Sequence, residues 1–201
     1  DYRRLNQQTV ADAYPLPRID SLLEEVKGYS YYTALDLRAG FHQVCLVLED
    51  VPKTAFVCPV GLFEFRRLPF GLKNAPSTFQ RMMESVLGPL YVKGVRVYID
   101  DILCFSKTWE EHQECLRAVM AALSANHLTL KRSKCTFGGV EVDYLGHVVG
   151  KDGIKASPKK VAAVRELKVP TSRSEVRSML AFFWLLQAVC EGFCCRCPTF
   201  D

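Results

Sequence analysis

The run Val95-Arg96-Val97-Tyr98-Ile99-Asp100-Asp101-Ile102-Leu103-Cys104-Phe105 places two adjacent aspartates between two apolar, β-rich segments. Segments that meet at a tight turn normally carry Asn-Gly, Asp-Gly or another glycine pair, because the favoured hairpin turns need positive φ angles. Here the turn region holds two like charges and no glycine, a local conflict of the kind that functional sites carry. Neighbouring carboxylates on a rigid hairpin repel each other unless a divalent cation neutralises them. A solvated Asp-Asp turn is the plainer alternative.

A third aspartate ends a second predicted strand. Residues 31–37 are rich in aromatic and β-branched side chains, and Asp36 lies at the end of this run. A lone aspartate at a strand end is commonly a cap or a turn former. Three aspartates on two strands that pair in space can instead bridge two hard cations about 4 Å apart, the arrangement used for in-line phosphoryl transfer.

Local patterns predict an α+β fold with helices on one face of an antiparallel sheet. Helices are predicted over residues 19–27, 76–87 and 158–168. Two more are predicted from their caps: one begins at residue 109 after a capping box of Thr108 and Glu111, and one begins after a cap at Ser172. Further strands are predicted around residues 128–131, 134–137, 140–142 and 144–149. The predicted buried faces are Phe79, Met82, Met83 and Val86; Leu116, Val119, Met120 and Leu123; and Val176, Met179, Leu180 and Phe183.

Composition narrows the class of protein. With 201 residues and 49% hydrophobic content, the chain can bury a normal core. It has no run of 18 apolar residues and no basic-then-apolar leader, so we expect neither a membrane partner nor secretion. We therefore expect its nine cysteines to be reduced and its location to be intracellular, cytoplasmic or nuclear.

Charge is unevenly distributed along the chain. Residues 127–201 hold 12 Lys and Arg against 7 Asp and Glu, a net charge of +5, whereas residues 1–126 hold 14 against 15, a net charge of −1. A basic C-terminal third beside an acidic centre is typical of proteins that bind a phosphate backbone with one part and a metal with another. A solvated lysine-rich surface is the alternative.

Eight strings in a fixed order carry a family resemblance. They are Asp1-Tyr2-Arg3-Arg4-Leu5-Asn6, Tyr14-Pro15-Leu16-Pro17-Arg18-Ile19-Asp20, Leu35-Asp36-Leu37 through Gln43, Pro52-Lys53-Thr54-Ala55-Phe56, Leu68-Pro69-Phe70-Gly71-Leu72, Asn74-Ala75-Pro76-Ser77-Thr78-Phe79-Gln80, Tyr98-Ile99-Asp100-Asp101-Ile102-Leu103 and Tyr144-Leu145-Gly146-His147. Together they resemble the reverse transcriptase (RNA-directed DNA polymerase) of gypsy-type long-terminal-repeat retrotransposons, over residues 1 to about 180.

The resemblance implies a polymerase palm, which is a split βαβ, ferredoxin-like sheet, with partial fingers and the start of a thumb. Residues 1–150 would form the partial fingers and palm, with fingers elements roughly at 1–30 and 50–75. Residues 151–201 would form a partial, atypical thumb, separated from the palm by a hinge near residues 150–153. A parent Pol polyprotein would also carry a ribonuclease H segment.

The resemblance also implies the catalytic roles. Asp36 and Asp100 would bridge two Mg²⁺ ions, with Mn²⁺ as a substitute, and Asp101 would complete the cluster. The implied partners are an RNA or DNA template-primer and deoxynucleoside triphosphates. The protein could form a dimer, and virus-like particles are one of its expected locations.

Two groups of residues would bind the substrates. The nucleotide group is Ala39, Gly40, Phe41, Phe70, Gly71 and Lys134. In this group Phe41 would exclude the ribose 2′ hydroxyl and Lys134 would protonate the leaving pyrophosphate, with a core aromatic and a surface lysine as the alternatives. The template and primer group is Gln80, Tyr98, Tyr144, Leu145, Gly146 and His147.

The chain departs from the family pattern near both ends. The basic fingers residues of relatives lie upstream of the string at residues 1–6, and residues 185–189 stand where relatives carry Tyr-Tyr-Arg-Arg-Phe. We therefore expect the 201-residue chain to bind primed template weakly and to synthesise little DNA by itself. The alternative function is a catalytically silent nucleic-acid-binding or interaction domain derived from a decayed retroelement.

Overall fold

The computed structural model describes residues 1–158 and 172–180. Its helices are α1 (Arg3–Gln8), α2 (Ile19–Val26), α3 (Ala75–Leu87) and α4 (Trp109–Ala125), and residues 173–180 are also helical. Its strands are β1 (Tyr31–Asp36), β2 (Phe56–Cys58), β3 (Gly61–Phe63), β4 (Val95–Tyr98), β5 (Asp101–Ser106), β6 (Thr136–Gly139), β7 (Glu141–Tyr144), β8 (His147–Gly150) and β9 (Gly153–Ala156). In these ranges no helix is long and apolar enough to cross a membrane.

Four strands form the central sheet in the order β4-β5-β1-β6. All three strand pairs are antiparallel. The β4–β5 pair is the hairpin that flanks the two aspartates, and β5 also pairs with β1 over its whole length. Strand β5 is therefore an inner strand, which explains why the residues that follow Asp101 form an uninterrupted apolar run.

The two faces of this sheet are covered by different elements. Ile102 and Cys104 of β5 pack with the apolar stripes of α3 and α4, so the two long helices share one face as predicted. Leu103 and Phe105 point to the opposite face and pack with α2, β7 and β8. The sequence did not predict this second cover, which includes a separate three-stranded sheet in the order β7-β8-β9.

Most of the predicted local elements are present. The helix predicted over 19–27 spans Ile19–Val26, and the one predicted over 76–87 spans Ala75–Leu87. The capping box is formed, because the Thr108 side chain accepts from the Glu111 N–H and the Glu111 side chain accepts from the Thr108 N–H. The buried face of α4 also includes His112, which the apolar pattern did not indicate.

The strand predicted at residues 128–131 is wrong. This segment makes a single bridge, between Leu37 and Leu130, and a 3-10 turn at Arg132–Lys134 follows it. The pairing stops because β1 ends at Asp36, so only one residue beyond that strand serves as a partner. The strands predicted around 134–137, 140–142 and 144–149 are present as β6, β7 and β8 with shifted bounds.

The chain divides into two compact units after Lys155. Residues 150–153, the predicted hinge, lie within the first unit and join β8 to β9, which are neighbours in one sheet. The division into palm and thumb therefore stays a prediction. In the second unit the cap at Ser172 is present, since its hydroxyl accepts from the Glu175 N–H at 3.2 Å. The helix predicted over 158–168 lies almost wholly outside the described residues, and Phe183 lies outside them.

The buried face predicted for the helix after Ser172 does not hold for its described part. Val176 and Leu180 are exposed, and Met179 is half-buried. An amphipathic pattern shows which face of a helix can be buried, but it does not supply the surface that covers this face.

Candidate active site

Asp36 and Asp101 face each other at one end of the central sheet. They are paired residues of β1 and β5, and Tyr98 of β4 is the partner of Asp101 on its other side. Directly opposed residues of neighbouring strands project from the same face of a sheet. The row Tyr98–Asp101–Asp36 is therefore continuous across three strands, and Asp100 lies in the turn beside it. The structure thus brings together the three aspartates that the sequence singled out, while their roles stay predictions.

The turn that carries Asp100 is strained. Tyr98 and Asp101 form the last pair of the hairpin, so the loop consists of Ile99 and Asp100 alone. Ile99 has a φ angle of +54°, whereas the φ angle of Asp100 is negative. Positive φ at the first loop residue only is the pattern of a type II′ turn, which normally has glycine there. For a β-branched residue this conformation costs about 1–3 kcal/mol.

Gln80 of α3 supports this turn from the interior. Its Oε1 accepts from the Ile99 N–H at 2.6 Å, while its Nε2 donates to Glu84 Oε1 at 2.7 Å and to the Val97 carbonyl at 3.3 Å. The Gln80 side chain has no exposed surface. The amide atoms of Gln80 are thus already bonded within the protein, and its contact with template stays a prediction.

Like charges dominate the electrostatics of the row. Partial burial, followed by the charges of Asp100 and Asp36, raises the pKa of Asp101 from 3.8 to about 6. Lys134 opposes this effect, and its Nζ lies 2.9 Å from Asp36 Oδ2. The same ion pair raises the pKa of Lys134. Lys134 is thus placed beside the aspartates, although its predicted part in proton transfer is not tested by this geometry.

The donor set suits hard divalent cations. Three carboxylates supply oxygen ligands and an excess of negative charge over the single ammonium of Lys134, and such ligands are those that Mg²⁺ and Mn²⁺ prefer. In the part of the chain that the structure describes, however, no three His, Cys, Asp or Glu side chains are already spaced as a metal-binding group. The three aspartates therefore suit a divalent cation by ligand type and charge, but their side chains are not yet arranged around a common centre.

The loop after β1 lies directly against the turn. A Cβ atom on Gly40 would lie 3.2 Å from Asp100 Cβ and 3.0 Å from the Phe79 ring, so only glycine fits there without a shift. Ala39 is exposed and has a φ angle of +48°. Gly40 is buried, which leaves Ala39 as the more accessible of the two residues predicted to face a triphosphate.

Phe41 lies between the core and the surface. Its ring centroid is 5.4 Å from that of Phe79, which is fully buried, and 5.1 Å from that of Phe70, which is 56% exposed. This position is compatible with both interpretations of Phe41, as the residue that excludes the ribose 2′ hydroxyl and as a core aromatic. Gly71 is exposed beside Phe70 and has a φ angle of +92°.

The hairpin predicted to hold the primer is only partly accessible. Leu145 and Gly146 form its turn with φ angles of +49° and +75°, and they are its more accessible residues. Tyr144 and His147 are 3% and 5% exposed, and the predicted role of this hairpin in holding the primer end stays a prediction. Tyr144 belongs to the apolar cluster on this face of the sheet, so its role here is to anchor the hairpin.

The Tyr144 hydroxyl is an unusual feature of this face. It is buried, and among the described residues it has no hydrogen-bond partner. Burial, and then the negative charge of Asp101, raises the pKa of Tyr144.

The sequence did not indicate the polar and charged side chains that connect to Gln80 through Glu84. The Tyr14 hydroxyl donates to Glu84, and Arg81 both pairs with Asp12 at 2.7 Å and lies over the Tyr14 ring. The one local signal was the spacing of Gln80 and Glu84, which are four residues apart on one helix and so lie on one face. The contact to Ile99 had no local signal, because 19 residues separate the two partners.

Comparisons with known proteins identify the family of this chain. Residues 1–149 match the family model described as reverse transcriptase (RNA-dependent DNA polymerase). The retrovirus-related Pol polyprotein from transposon opus of Drosophila melanogaster is 46% identical over 180 residues, which are 90% of this chain and 18% of the relative. The corresponding polyprotein from transposon gypsy of the same organism is 39% identical over 180 residues, 90% of this chain and 17% of the relative. The chain thus spans less than a fifth of these relatives, and the predicted resemblance to gypsy-type elements is confirmed.

Solved structures show the same fold. A foamy viral protease-reverse transcriptase in complex with double-stranded DNA has a TM-score of 0.87 and 24% identity, covering 92% of this chain and 32% of that protein. A foamy viral protease-reverse transcriptase in complex with an RNA/DNA hybrid has a TM-score of 0.84 and 24% identity, covering 92% of this chain and 25% of that protein. These likenesses confirm the α+β polymerase fold predicted from the sequence.

Proposed function

The chain belongs to the reverse transcriptase family, and from this premise we propose that it is the catalytic domain of an RNA-directed DNA polymerase from a retroelement Pol polyprotein. Its reaction would add deoxynucleotides to the 3′ end of a primer paired with an RNA or DNA template. The observation that carries the proposal is the row of Asp36 and Asp101 on paired strands with Asp100 in the adjoining turn.

The proposed mechanism assigns the three aspartates to metal binding. Reverse transcriptases use divalent metals, and two such ions would activate the primer hydroxyl and neutralise the charge of the leaving pyrophosphate. Asp36 and Asp100 would hold these ions, with Asp101 completing the set. The pairing of β1 with β5 places Asp36 and Asp101 on adjacent strands, and a cation would draw the carboxylates together and compete with Lys134 for Asp36.

Other residues would position the nucleotide. Ala39 is an exposed residue next to Gly40, which lies against the turn, and Phe41 and Phe70 form an aromatic pair. Phe41 would exclude the 2′ hydroxyl of a ribonucleotide by steric conflict. Lys134, which is 57% exposed at its side chain, would place an ammonium group close to the leaving phosphates.

The proposed substrates follow from the same site. They are a primed RNA or DNA template and deoxynucleoside triphosphates. The foamy viral structures were solved with double-stranded DNA and with an RNA/DNA hybrid, which supports this substrate class for the fold. On the primer side, the accessible turn at Leu145 and Gly146 is the part of its hairpin that can contact nucleic acid.

The test is primer extension in two settings. The 201-residue chain is first assayed alone on a primed RNA template with Mg²⁺ at low salt. The corresponding segment of the transposon gypsy polyprotein, to which this chain is 39% identical, is then replaced by this chain. We expect this chimaera to extend primers, and we expect the Asp100→Asn change to abolish extension in both settings.

The alternative function gives a different result. A catalytically silent domain would still bind primed template in the chimaera but would not extend it, and Asp100→Asn would then change nothing. A folded, template-binding chimaera without metal-dependent synthesis would therefore overturn the proposed activity.

A further inference from the structure

The backbone of the Ile99–Asp100 turn needs support from outside the hairpin. Ile99 is a β-branched residue with a φ angle of +54°, a conformation that persists only where the surrounding structure over-determines it. Because Asp100 follows Ile99 directly, a relaxation at Ile99 would also move the Asp100 carboxylate.

Gln80 supplies that support through its side-chain amide. An N–H donor and two oxygen acceptors face this amide, so its orientation is set by chemistry: the oxygen must face the Ile99 N–H, and the nitrogen must face the Val97 carbonyl and Glu84. Val97 and Ile99 flank the last residue of β4, so Gln80 binds the hairpin on both sides of Tyr98. The full burial of Gln80 means that no bulk water competes for these bonds.

A second set of contacts ties Gln80 to the segment before α2. Glu84 accepts from Gln80 with Oε1 and from the Tyr14 hydroxyl with Oε2. The backbone N–H of Tyr14 donates to Asp12 Oδ1 at 3.0 Å, and Arg81 pairs with Asp12 at 2.7 Å. A chain of hydrogen bonds thus runs from Tyr14 through Glu84 and Gln80 to the turn.

We infer that Gln80 is a positioning residue for Asp100, and that Tyr14, acting through Glu84, is the outer support of the same arrangement. The inference concerns how the turn is held, and only its link to catalysis rests on the proposed function. The protection of the Ile99 amide and the cation affinity of the aspartates should therefore change together when this chain of bonds is cut.

The main variant is Gln80→Met, which keeps the length of the side chain but removes all three hydrogen bonds. Hydrogen exchange of individual backbone amides is measured by NMR, and Mn²⁺ binding is measured by titration calorimetry. We expect exchange at Ile99 to rise about tenfold relative to the amides of Leu103 and Cys104, a factor that corresponds to about 1.4 kcal/mol for one lost hydrogen bond. We expect Mn²⁺ to bind several-fold more weakly.

Two further variants separate positioning from general stability. Tyr14→Phe removes only the outermost hydrogen bond at a half-buried residue, and we expect exchange at Ile99 to rise about two- to threefold through the chain of bonds. Ser106→Ala is the matched control, because it removes a buried hydroxyl at the opposite end of β5, where it bonds to His112 and to the Thr108 carbonyl. We expect this control to leave the ratio of Ile99 exchange to Leu103 exchange unchanged.

The outcomes are distinguishable from a failure of the proposed function. If Gln80→Met and Tyr14→Phe accelerate all β5 amides equally, or leave Ile99 unchanged, the positioning role is refuted. If Gln80→Met does not fold, the positioning role is tested with Tyr14→Phe, through the ratio of Ile99 exchange to Leu103 exchange. If Mn²⁺ binds neither the parent chain nor any variant, the metal site fails, while the exchange at Ile99 still tests the support of the turn.

Discussion

Replacing Asp101 by asparagine should stabilise the protein in the absence of metal, by an amount that grows with pH. In the folded protein the pKa of Asp101 is about 6, against an ordinary value of 3.8, because burial and two neighbouring aspartates oppose its charge. Between these two pH values the folded state holds a proton that the unfolded state has lost. Stability therefore falls as pH rises from about 4 to above 6, and the loss is complete at neutral pH.

The magnitude follows from the difference between the two pKa values. A difference of about 2 pH units corresponds to about 3 kcal/mol at about 1.4 kcal/mol per unit. Because Asp101 is only partly buried, screening by solvent reduces this figure, and we expect about 1–2 kcal/mol. An asparagine of nearly the same size keeps the packing but never ionises, so the variant should not show this loss.

Urea denaturation of the parent and Asp101→Asn chains, followed by circular dichroism in EDTA, measures the effect. The difference in unfolding free energy should be small at about pH 4 and should reach about 1–2 kcal/mol at about pH 7.5. Replacing the exposed Asp143 of β7 by asparagine is the matched control. Adding Mg²⁺ in excess of EDTA should narrow the difference, because the parent chain keeps all three carboxylates and should gain more stability from binding the ion than the variant does. A difference that stays constant across this pH range would refute this account of the site.

Three further predictions concern other parts of the fold. Phe41→Ala in the chimaera should admit ribonucleotides, measured by primer extension with ribonucleoside triphosphates; a variant that only unfolds would identify the ring as core. Burial lowers the pKa of His112 from 6.5, so the unfolding free energy should fall as pH drops below about 6.5. Urea denaturation at about pH 7.5 and about pH 5.5 should show a smaller fall for His112→Gln than for the parent chain, and an equal fall in both would contradict this. Tyr144→Phe removes a buried hydroxyl without a partner among the described residues, and should raise the unfolding free energy in urea by about 1 kcal/mol; a loss of stability would show that the hydroxyl is bonded.

The parts of the fold that local chemistry determines could be predicted from the sequence. Apolar periodicity located α3 and α4 together with Pro76 near the start of α3 and the capping box of α4, and the paired aspartates located the β4–β5 hairpin. Asp36 at the end of one strand and Asp101 at the start of another become partners once those strands pair antiparallel. For α3, α4 and the β4–β5 hairpin the deciding interactions lie within a few residues of each other along the chain, whereas the pairing of β1 with β5 joins segments that are distant in sequence.

The remaining parts depended on contacts between distant segments. Gln80 and His112 are polar residues of types that are mostly exposed or only partly buried, and each is buried because a partner from another element completes its hydrogen bonds. Residues 128–131 have a strand-like pattern, but the length of β1 left them only one partner. No local signal reports such partners, so the burial of Gln80 and the single bridge at Leu130 could not be predicted.

The positive φ angle at Ile99 has a consequence for which residues suit this position. A glycine at residue 99 would adopt that angle without strain, but it would also allow the backbone other conformations. Selection for stability alone therefore favours glycine or asparagine at this position, whereas selection for a fixed Asp100 favours a stiff, β-branched side chain held by Gln80. A sequence that carries Gly at position 99 should thus hold Asp100 less firmly than one that carries Ile there.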